Sequence, residues 1–141
     1  SDAFCVKRHR TEFLHLLSSH VDVLFANEAE VTALFDVDSF EEAVRLTSGH
    51  CEIAALTRGS KGCVIVEGGE IHEIGAKAVK NVVDTTGAGD LFAAGFLYGL
   101  TRGDALTKCG ALGAIAAAEA ISHYGARPET PLASLLVESS K

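Results

Sequence analysis

The sequence predicts a three-layer α/β/α fold, in which helices cover a mostly parallel sheet. Short apolar runs alternate with segments of helical periodicity, as they do in α/β domains. Two of these runs flank Gly68-Gly69, a pair typical of a two-residue hairpin turn. With 141 residues, of which 48% are hydrophobic, the chain is long enough for one compact domain with a core. We therefore expect a parallel sheet that carries one antiparallel hairpin.

The first quarter of the chain is predicted to contain two strands and two helices. Ser1–Val6 is interpreted as the end of a strand whose beginning lies outside the chain. Large apolar residues at helical spacing predict a helix over Arg8–Ser19. The apolar run Val21–Ala26 suits a buried strand, and Asn27 offers an N-cap for a helix over Glu28–Phe35.

The middle of the chain is predicted to contain one helix and three strands. Ser39–Ser48 is the helix, with Ser39 as its N-cap and two glutamates in the first turn. A strand follows over Ile53–Thr57. Cys63–Val66 and Glu70–Ile74 are expected to pair across the two glycines as the hairpin.

The last part of the chain is predicted to be one strand followed by helices. Val79–Val83 is interpreted as the strand, and a glycine-containing segment, Asp84–Asp90, then breaks the pattern. Three helices are expected after the break: an apolar one to about Leu100, a second from its N-cap Asp104 to about Ser122, and a third after Pro131.

Composition excludes several classes of function. The formal net charge of −7 argues against nucleic acid as a partner, because binding to phosphate backbones needs clustered Lys and Arg. The longest apolar run, Ala111–Ala118, is too short to span a membrane. The four cysteines form no CxxC pair, which favours a reduced, cytoplasmic protein. Without a methionine the chain lacks a start residue and a signal peptide, so we expect part of a longer protein.

The segment Gly87-Ala88-Gly89-Asp90 is the strongest candidate for a catalytic site. Small residues let the backbone turn from a strand into a helix, whose first N–H groups have no partner within the helix. Those donors and the helix dipole form an anion hole that stabilises a transferring phosphoryl group. Asp90 at the first turn is then placed to act as a base. The alternative is a tight turn whose acidic residue only stabilises the start of the helix.

The longer string around this segment is more specific than a glycine-rich loop. Asp84–Asp90, followed by Phe92, Gly95 and Phe96, resembles the C-terminal signature of the PfkB, or ribokinase-like, carbohydrate kinase family. The resemblance covers residues 1–141 and is closest to adenosine-kinase-like bacterial members. It implies a ribokinase-like fold present as a C-terminal part, without the N-terminal substrate and lid region. It also implies that Asp90 is the catalytic base and that the three preceding residues form the anion hole.

Two further segments are assigned to MgATP by this resemblance. Asn27 and Glu30 match an Asn-x-x-Glu motif in which the glutamate orders Mg²⁺ and its waters; the alternative is a capping box, in which the two residues cap a helix reciprocally. Thr57, Gly59 and Gly62 belong to a segment similar to the family's ATP-contacting segment; the alternative is a surface turn.

The resemblance also implies a monovalent cation, usually K⁺, beside the anion hole. Asp84 and Thr86 match family positions that hold it, together with backbone carbonyls near Ala120, His123 and Gly125. Hard cations prefer oxygen ligands, which this segment supplies. The alternative for Asp84 and Thr86 is a buried capping role. His123 lies where the family closes over adenine; the alternative is that it caps a helix end.

These observations lead to three functional hypotheses. The first is an ATP-dependent kinase that transfers the γ-phosphate to a hydroxyl of a sugar or nucleoside, with a homodimer expected for the full-length protein. The second is a noncatalytic nucleotide-binding module. The third, a dinucleotide-binding oxidoreductase domain, is disfavoured because the chain lacks a G-x-G-x-x-G turn after a first strand. The shared motifs do not distinguish adenosine, ribose and fructose as acceptors.

Overall fold

The computed structural model describes residues 2–138, and backbone contacts divide them into two compact units. The first unit contains the residues up to Gly59 together with Val64–His72. The second contains Ser60–Cys63 and the residues from Glu73 onward. Within the part of the chain described, no helix combines the length and the apolar character needed to cross a membrane.

Helices and strands alternate through the first half of the chain. In order, the elements are α1 (Ala3–Arg8), α2 (Arg10–His20), β1 (Val23–Asn27), α3 (Glu28–Phe35), α4 (Phe40–Thr47), β2 (Ile53–Thr57), a 3₁₀ turn (Gly59–Lys61), β3 (Cys63–Glu67) and β4 (Glu70–Ile74). Three helices follow: α5 (Ala88–Thr101), α6 (Leu106–Ala120) and α7 (Leu132–Glu138). The predicted helices and strands between Arg8 and Ile74 and the three final helices are thereby confirmed.

The four strands form one mixed sheet in the order β1-β2-β3-β4. β1 and β2 are parallel, with Val23 paired to Ile53 at one end and Asn27 to Thr57 at the other. Gly68 and Gly69 both have positive φ, 56° and 90°, as a type I′ turn requires, so the predicted hairpin is confirmed. The α/β class is confirmed with it.

Apolar side chains from the sheet and its helices form the core of the first unit. The buried residues of α3 and α4 recur three or four positions apart, and the first four residues of β2 are all buried. The main cluster consists of Val31, Phe40, Ala43, Val44, Ala54, Leu56, Val64 and Val66. This packing fixes the carboxyl ends of β1 and β2, from which the predicted Mg²⁺ and ATP segments continue.

Three local predictions are wrong. Residues 3–6 belong to helix α1, because the Asp2 side chain accepts the Cys5 N–H at 2.7 Å and caps a helix. Residues 79–83 form no strand: the Val83 N–H instead donates to the Ile121 carbonyl at 2.8 Å. The N-cap of α6 is Ala105, because the Asp104 carboxylate accepts from the Lys108 side chain at 2.9 Å.

The second unit is built on the close packing of α5 against α6. A Cβ added at Gly95 would lie 2.6 Å from the Leu112 carbonyl oxygen, and one at Gly113 would lie 2.9 Å from the Phe92 ring. Only glycine therefore permits this approach of the two backbones. Phe96 of α5 is fully buried and stacks on Phe92, with 6.3 Å between the ring centres. α5, which begins at the candidate catalytic segment, is thus held along its length by α6.

Candidate active site

Two of the predicted segments lie side by side at the carboxyl ends of parallel strands. Asn27 is the last residue of β1 and pairs in register with Thr57, the last residue of β2. In open α/β sheets, ligands bind beyond these ends. The first unit therefore brings Asn27, Glu30, Thr57 and Gly59 to one edge of the sheet.

Asn27 and Glu30 form a reciprocal pair at the start of α3. The Asn27 side chain accepts the Glu30 N–H at 2.9 Å, and Oε2 of Glu30 accepts the Asn27 N–H at 2.9 Å. The capping box considered from the sequence is therefore present. Within the described residues, the other carboxylate oxygen of Glu30 has no hydrogen bond, so this oxygen can still face a hydrated metal ion.

Arg58 has a structural role that the sequence did not indicate. Its guanidinium donates to both carboxylate oxygens of Glu28, at 3.2 and 3.4 Å, and lies 4.1 Å from the centre of the Phe40 ring. Glu41 lies 3.8 Å away. Arg58 thus ties the residue after β2 to the first turns of α3 and α4. Arg58 and Glu28 are 30 positions apart, so no local sequence pattern indicates that they pair.

The two glycines of the predicted ATP segment differ in their surroundings. Gly59 has a φ of 57°, is exposed, and has no atom within 4 Å of where a Cβ would lie. Gly62 has a φ of 91° and is buried, and a Cβ there would collide with the Ile74 carbonyl. Gly59 leaves open backbone that a ligand can approach, whereas Gly62 is required by packing. A cofactor role for Gly62 stays a prediction.

The start of α5 presents unpaired amide groups, as the sequence predicted. Gly87 has a φ of 77° and precedes the helix without any side-chain cap. The Ala88 N–H donates to the Thr85 carbonyl at 3.2 Å. Within residues 2–138, the N–H groups of Gly87, Gly89 and Asp90 have no acceptor. Ala88 is therefore the least available of the predicted anion-hole donors, and the Asp90 amide is a further unpaired N–H beside them.

Asp90 is the third residue of α5 and is exposed. Its side chain therefore does not turn into the core, and residues 87–90 do not lie in a strand. An exposed carboxylate beside unpaired amides combines a proton acceptor with donors for an anion, which is the combination that phosphoryl transfer uses. Its role as the catalytic base remains a prediction.

Asp84 links the segment before α5 to a distant loop. One carboxylate oxygen accepts the Thr86 N–H at 2.9 Å, and the other accepts the Gly125 N–H at 3.1 Å. Hydrogen bonds from the Thr86 side chain and amide, followed by that from Gly125, hold the pKa of the Asp84 carboxyl below its usual range. The oxygen groups available to a monovalent cation are thus the Asp84 carboxylate, the Thr86 hydroxyl and nearby backbone carbonyls. Oxygen ligands of this kind suit a hard ion.

Within the part of the chain that the structure describes, no cluster of metal-binding side chains accompanies these oxygens. Among the residues that the structure describes, no group of three or more His, Cys, Asp and Glu side chains could hold a metal ion. The four cysteines form no disulfide bonds with one another. A cation at Asp84 would therefore depend on backbone oxygens, which residue types cannot identify.

The loop after α6 packs directly on the glycine turn. A Cβ at Gly87 would lie 2.7 Å from the Ala126 Cβ and 3.1 Å from its Cα. Together with the bond between Asp84 and Gly125, this contact braces the turn that precedes α5. The structure thereby brings together the predicted residues Asp84, Gly87 and Gly125 in the second unit.

His123 is bonded within this loop. Its Nε2 lies 3.2 Å from Oε2 of Glu119, its Nδ1 lies 3.3 Å from the Tyr124 carbonyl, and its side chain is only 10% exposed. The hydrogen bond to Glu119 is the main reason that the pKa of His123 is raised. Because both ring nitrogens of His123 already face acceptors, a structural role is favoured over contact with adenine. The predicted adenine contact stays a prediction.

A cleft of about 460 Å³, mostly apolar by area, lies beside Glu119 and Ser122 in the second unit. Residues 77–81, α6 and the start of α7 form its walls. Val79, Ile115, Ala118 and Leu135 are among its apolar lining residues, and Ser122 and Thr130 among its polar ones. Lys77, Lys80, Asn81 and Glu119 also line it, so the cleft combines apolar area with polar and charged groups, as small-molecule sites do.

Comparisons with known proteins agree with these observations. A family model described as pfkB family carbohydrate kinase matches residues 5–133. A relative from Archaeoglobus fulgidus described as an uncharacterized sugar kinase is 44% identical over 110 residues, which are 77% of this chain and 43% of the relative.

Two solved structures are similar over 99% of the chain and 43% of their own length. One is a probable sugar kinase protein from Rhizobium etli, with a TM-score of 0.96 and 48% identity. The other is an adenosine kinase from Sinorhizobium meliloti, with a TM-score of 0.95 and 46% identity. The chain thus spans less than half the length of these relatives. From its motifs, its fold and these matches, the chain belongs to the pfkB family of carbohydrate kinases.

Proposed function

We propose that this chain carries the nucleotide-binding and catalytic-base residues of an ATP-dependent kinase whose acceptor is a hydroxyl group of a sugar or nucleoside. The observation that carries the proposal is the start of α5, where the unpaired amides of Gly87, Gly89 and Asp90 adjoin an exposed carboxylate. Membership of a kinase family supports it.

The proposed reaction is an in-line displacement at the γ-phosphorus. The acceptor hydroxyl gives its proton to the Asp90 carboxylate as its oxygen forms a bond to the γ-phosphorus, and the bond to the bridging oxygen of ADP breaks. Negative charge on the equatorial phosphoryl oxygens is stabilised by the amides at the start of α5 and by the helix dipole. Asp84 and the loop at Gly125 keep those amides in place.

Glu30, with one carboxylate oxygen outside its capping box, is proposed to hold Mg²⁺ through water. When bound, the metal neutralises charge on the nucleotide phosphates. Thr57 and Gly59 are proposed to contact ATP where β2 ends, with Gly59 allowing close approach of the backbone. The cleft lined by Glu119 and Ser122 is proposed to receive the adenine ring.

A nucleoside and a sugar are both supported as acceptors. The Sinorhizobium structure is an adenosine kinase, whereas the Rhizobium and Archaeoglobus proteins are described as sugar kinases. A panel of nucleosides and sugars, incubated with MgATP and the complete gene product, tests the proposal. We expect formation of ADP that depends on one of the acceptors, together with its phosphate monoester, detected by chromatography and ³¹P NMR.

The panel also separates the kinase from a noncatalytic nucleotide-binding module. Nucleotide that binds only the folded state raises the thermal midpoint by mass action. Stabilisation by MgATP without phosphorylation of any acceptor would favour the module. Absence of both stabilisation and turnover would reject nucleotide binding altogether.

A further inference from the structure

Glu119 on α6 accepts three hydrogen bonds from the loop that follows its helix. Oε1 accepts the backbone N–H groups of Glu129 and Thr130, each at 2.8 Å. Oε2 faces Nε2 of His123 at 3.2 Å. The side chain is only 8% exposed, so these bonds replace water around a nearly buried carboxylate. One residue of α6 therefore holds both ends of the segment 123–130.

The middle of the segment 123–130 contacts the turn before α5. The Gly125 N–H donates to Asp84 at 3.1 Å. Ala126 lies so close to Gly87 that no side chain fits there. The segment has no helix or strand of its own, so its position depends on bonds to neighbouring elements. Glu119 holds its ends while Asp84 and Gly87 meet its middle.

We propose that Glu119 is a positioning residue. It holds the segment 123–130 against Asp84 and Gly87, and this contact fixes the amide donors at the start of α5. Glu119 contacts neither Asp90 nor Gly87–Gly89, so it acts on the amide donors through the segment. It also lines the cleft proposed for adenine, and hydrogen exchange measured without nucleotide separates the two effects. Its effect on catalysis rests on the proposed kinase function, whereas its effect on the position of the turn does not.

Two variants of Glu119 and one control separate the roles of its oxygens. Glu119→Gln keeps an oxygen that accepts from the amides of Glu129 and Thr130, whereas Glu119→Leu keeps the approximate size and removes every acceptor. Asp104→Asn is the control, because Asp104 also pairs with a residue four positions later on α6, Lys108, at 2.9 Å.

The first measurement is hydrogen exchange of backbone amides in the complete gene product. We expect Glu119→Leu to accelerate exchange by about tenfold both at residues 129–130 and at the hydrogen-bonded amides of Thr86, Ala88 and Leu91, since one charged hydrogen bond corresponds to about that factor. Glu119→Gln should stay within about threefold of wild type at both places. Acceleration confined to residues 129–130 would overturn the proposal, as would no acceleration at all.

The second measurement is steady-state kinetics with MgATP and the accepted hydroxyl compound, well below the unfolding midpoint of each variant. We expect kcat to fall by about tenfold in Glu119→Leu, with recovery in Glu119→Gln and no change in Asp104→Asn. A lowered thermal midpoint with unchanged kcat would reduce Glu119 to a purely stabilising residue and overturn the proposal. A wild-type protein without kinase activity would refute the proposed function instead, and hydrogen exchange at the amides of Thr86, Ala88 and Leu91 would then still decide the role of Glu119.

Discussion

The carboxylate of Asp84 accepts the backbone N–H of Gly125 across 41 residues of chain, at 3.1 Å. The same carboxylate accepts the Thr86 N–H at 2.9 Å. Asp84 therefore joins the turn before α5 to the loop after α6 through its two oxygens. A residue that resembles a cation ligand in sequence is also a structural link in the fold.

Replacing Asp84 by asparagine should break this link on one side only. The asparagine oxygen can still accept from Thr86, but its NH₂ group then faces the Gly125 N–H, and two donors repel. We expect kcat/KM for MgATP to fall by about tenfold, with faster amide exchange at Gly125. The control Asp104→Asn should keep wild-type kinetics. Wild-type kcat/KM and wild-type exchange at Gly125 in Asp84→Asn would refute the linking role.

Asp90→Asn should remove the proposed base while leaving the amide donors in place. We expect kcat to fall by about 10²- to 10⁴-fold, because asparagine cannot accept the hydroxyl proton. The dissociation constant for MgATP, measured by calorimetry, should change little. Because Asp90 is exposed, folding should be unaffected, and circular dichroism serves as the control. Retention of wild-type kcat would eliminate Asp90 as the base.

Two glycines of α5 should respond in opposite ways to alanine. Gly89 has open space where a Cβ would lie, so Gly89→Ala should leave stability unchanged or raise it by up to about 1 kcal/mol. The added methyl beside the unpaired amides should nevertheless lower kcat/KM by about tenfold, as a phosphoryl group loses its close approach. Full activity in this variant would argue against the anion hole.

Gly95→Ala provides the matched comparison. Its Cβ would lie 2.6 Å from the Leu112 carbonyl oxygen, which forces α5 and α6 apart. We expect a loss of about 1–3 kcal/mol in the free energy of unfolding, measured by urea denaturation. Gly49→Ala, where no atom lies within 4 Å, should be close to neutral.

Arg58→Lys should destabilise the first unit although the charge is kept. Lysine cannot bond both oxygens of Glu28 and cover the Phe40 ring in the way the guanidinium does. We expect a loss of about 1 kcal/mol in urea denaturation. Arg102→Lys is the control, because Arg102 lies farther from an aromatic ring, 5.2 Å from that of Tyr98, and is exposed. Equal losses of unfolding free energy in both variants would contradict this structural role of Arg58.

The buried thiol of Cys63 should make stability fall at alkaline pH. Burial raises the pKa of Cys63 from 9.0 to about 11. The folded state therefore favours the neutral thiol, and its contribution is complete below pH 9 and is lost as the pH rises toward 11. We expect the free energy of unfolding to decrease with pH in this window, with a smaller slope in Cys63→Ala. Identical slopes would show that other groups cause the decrease.

Elements with strong local signals could be predicted from the sequence. Gly68-Gly69 specifies its hairpin by turn chemistry alone, and Asn27 caps α3 through a partner only three residues away. Asp2 offered an equally local signal, an N-cap for α1, that the interpretation as a strand passed over. The apolar run at residues 79–83 has strand composition, but no partner strand lies beside it among the described residues.

The candidate site could be predicted only where one segment carries it. The glycine turn and Asp90 lie within four consecutive residues, and their chemistry follows from backbone geometry. The bonds that position them join distant residues: Asp84 to Gly125, and Glu119 to Thr130. In the sequence, Glu119 is only a charged residue inside an apolar helix. Pairings of this kind depend on tertiary structure, which spacing does not encode.

The contact of α5 with α6 through glycine has a consequence for substrate binding. Because α5 and α6 meet backbone against backbone at Gly95 and backbone against the Phe92 ring at Gly113, the start of α5 belongs to a closely packed pair of helices. The entropy lost in immobilising the groups at the front of α5 is therefore spent while the polypeptide folds. In the proposed kinase reaction, the phosphate would meet dipoles that are already oriented and have little left to reorganise.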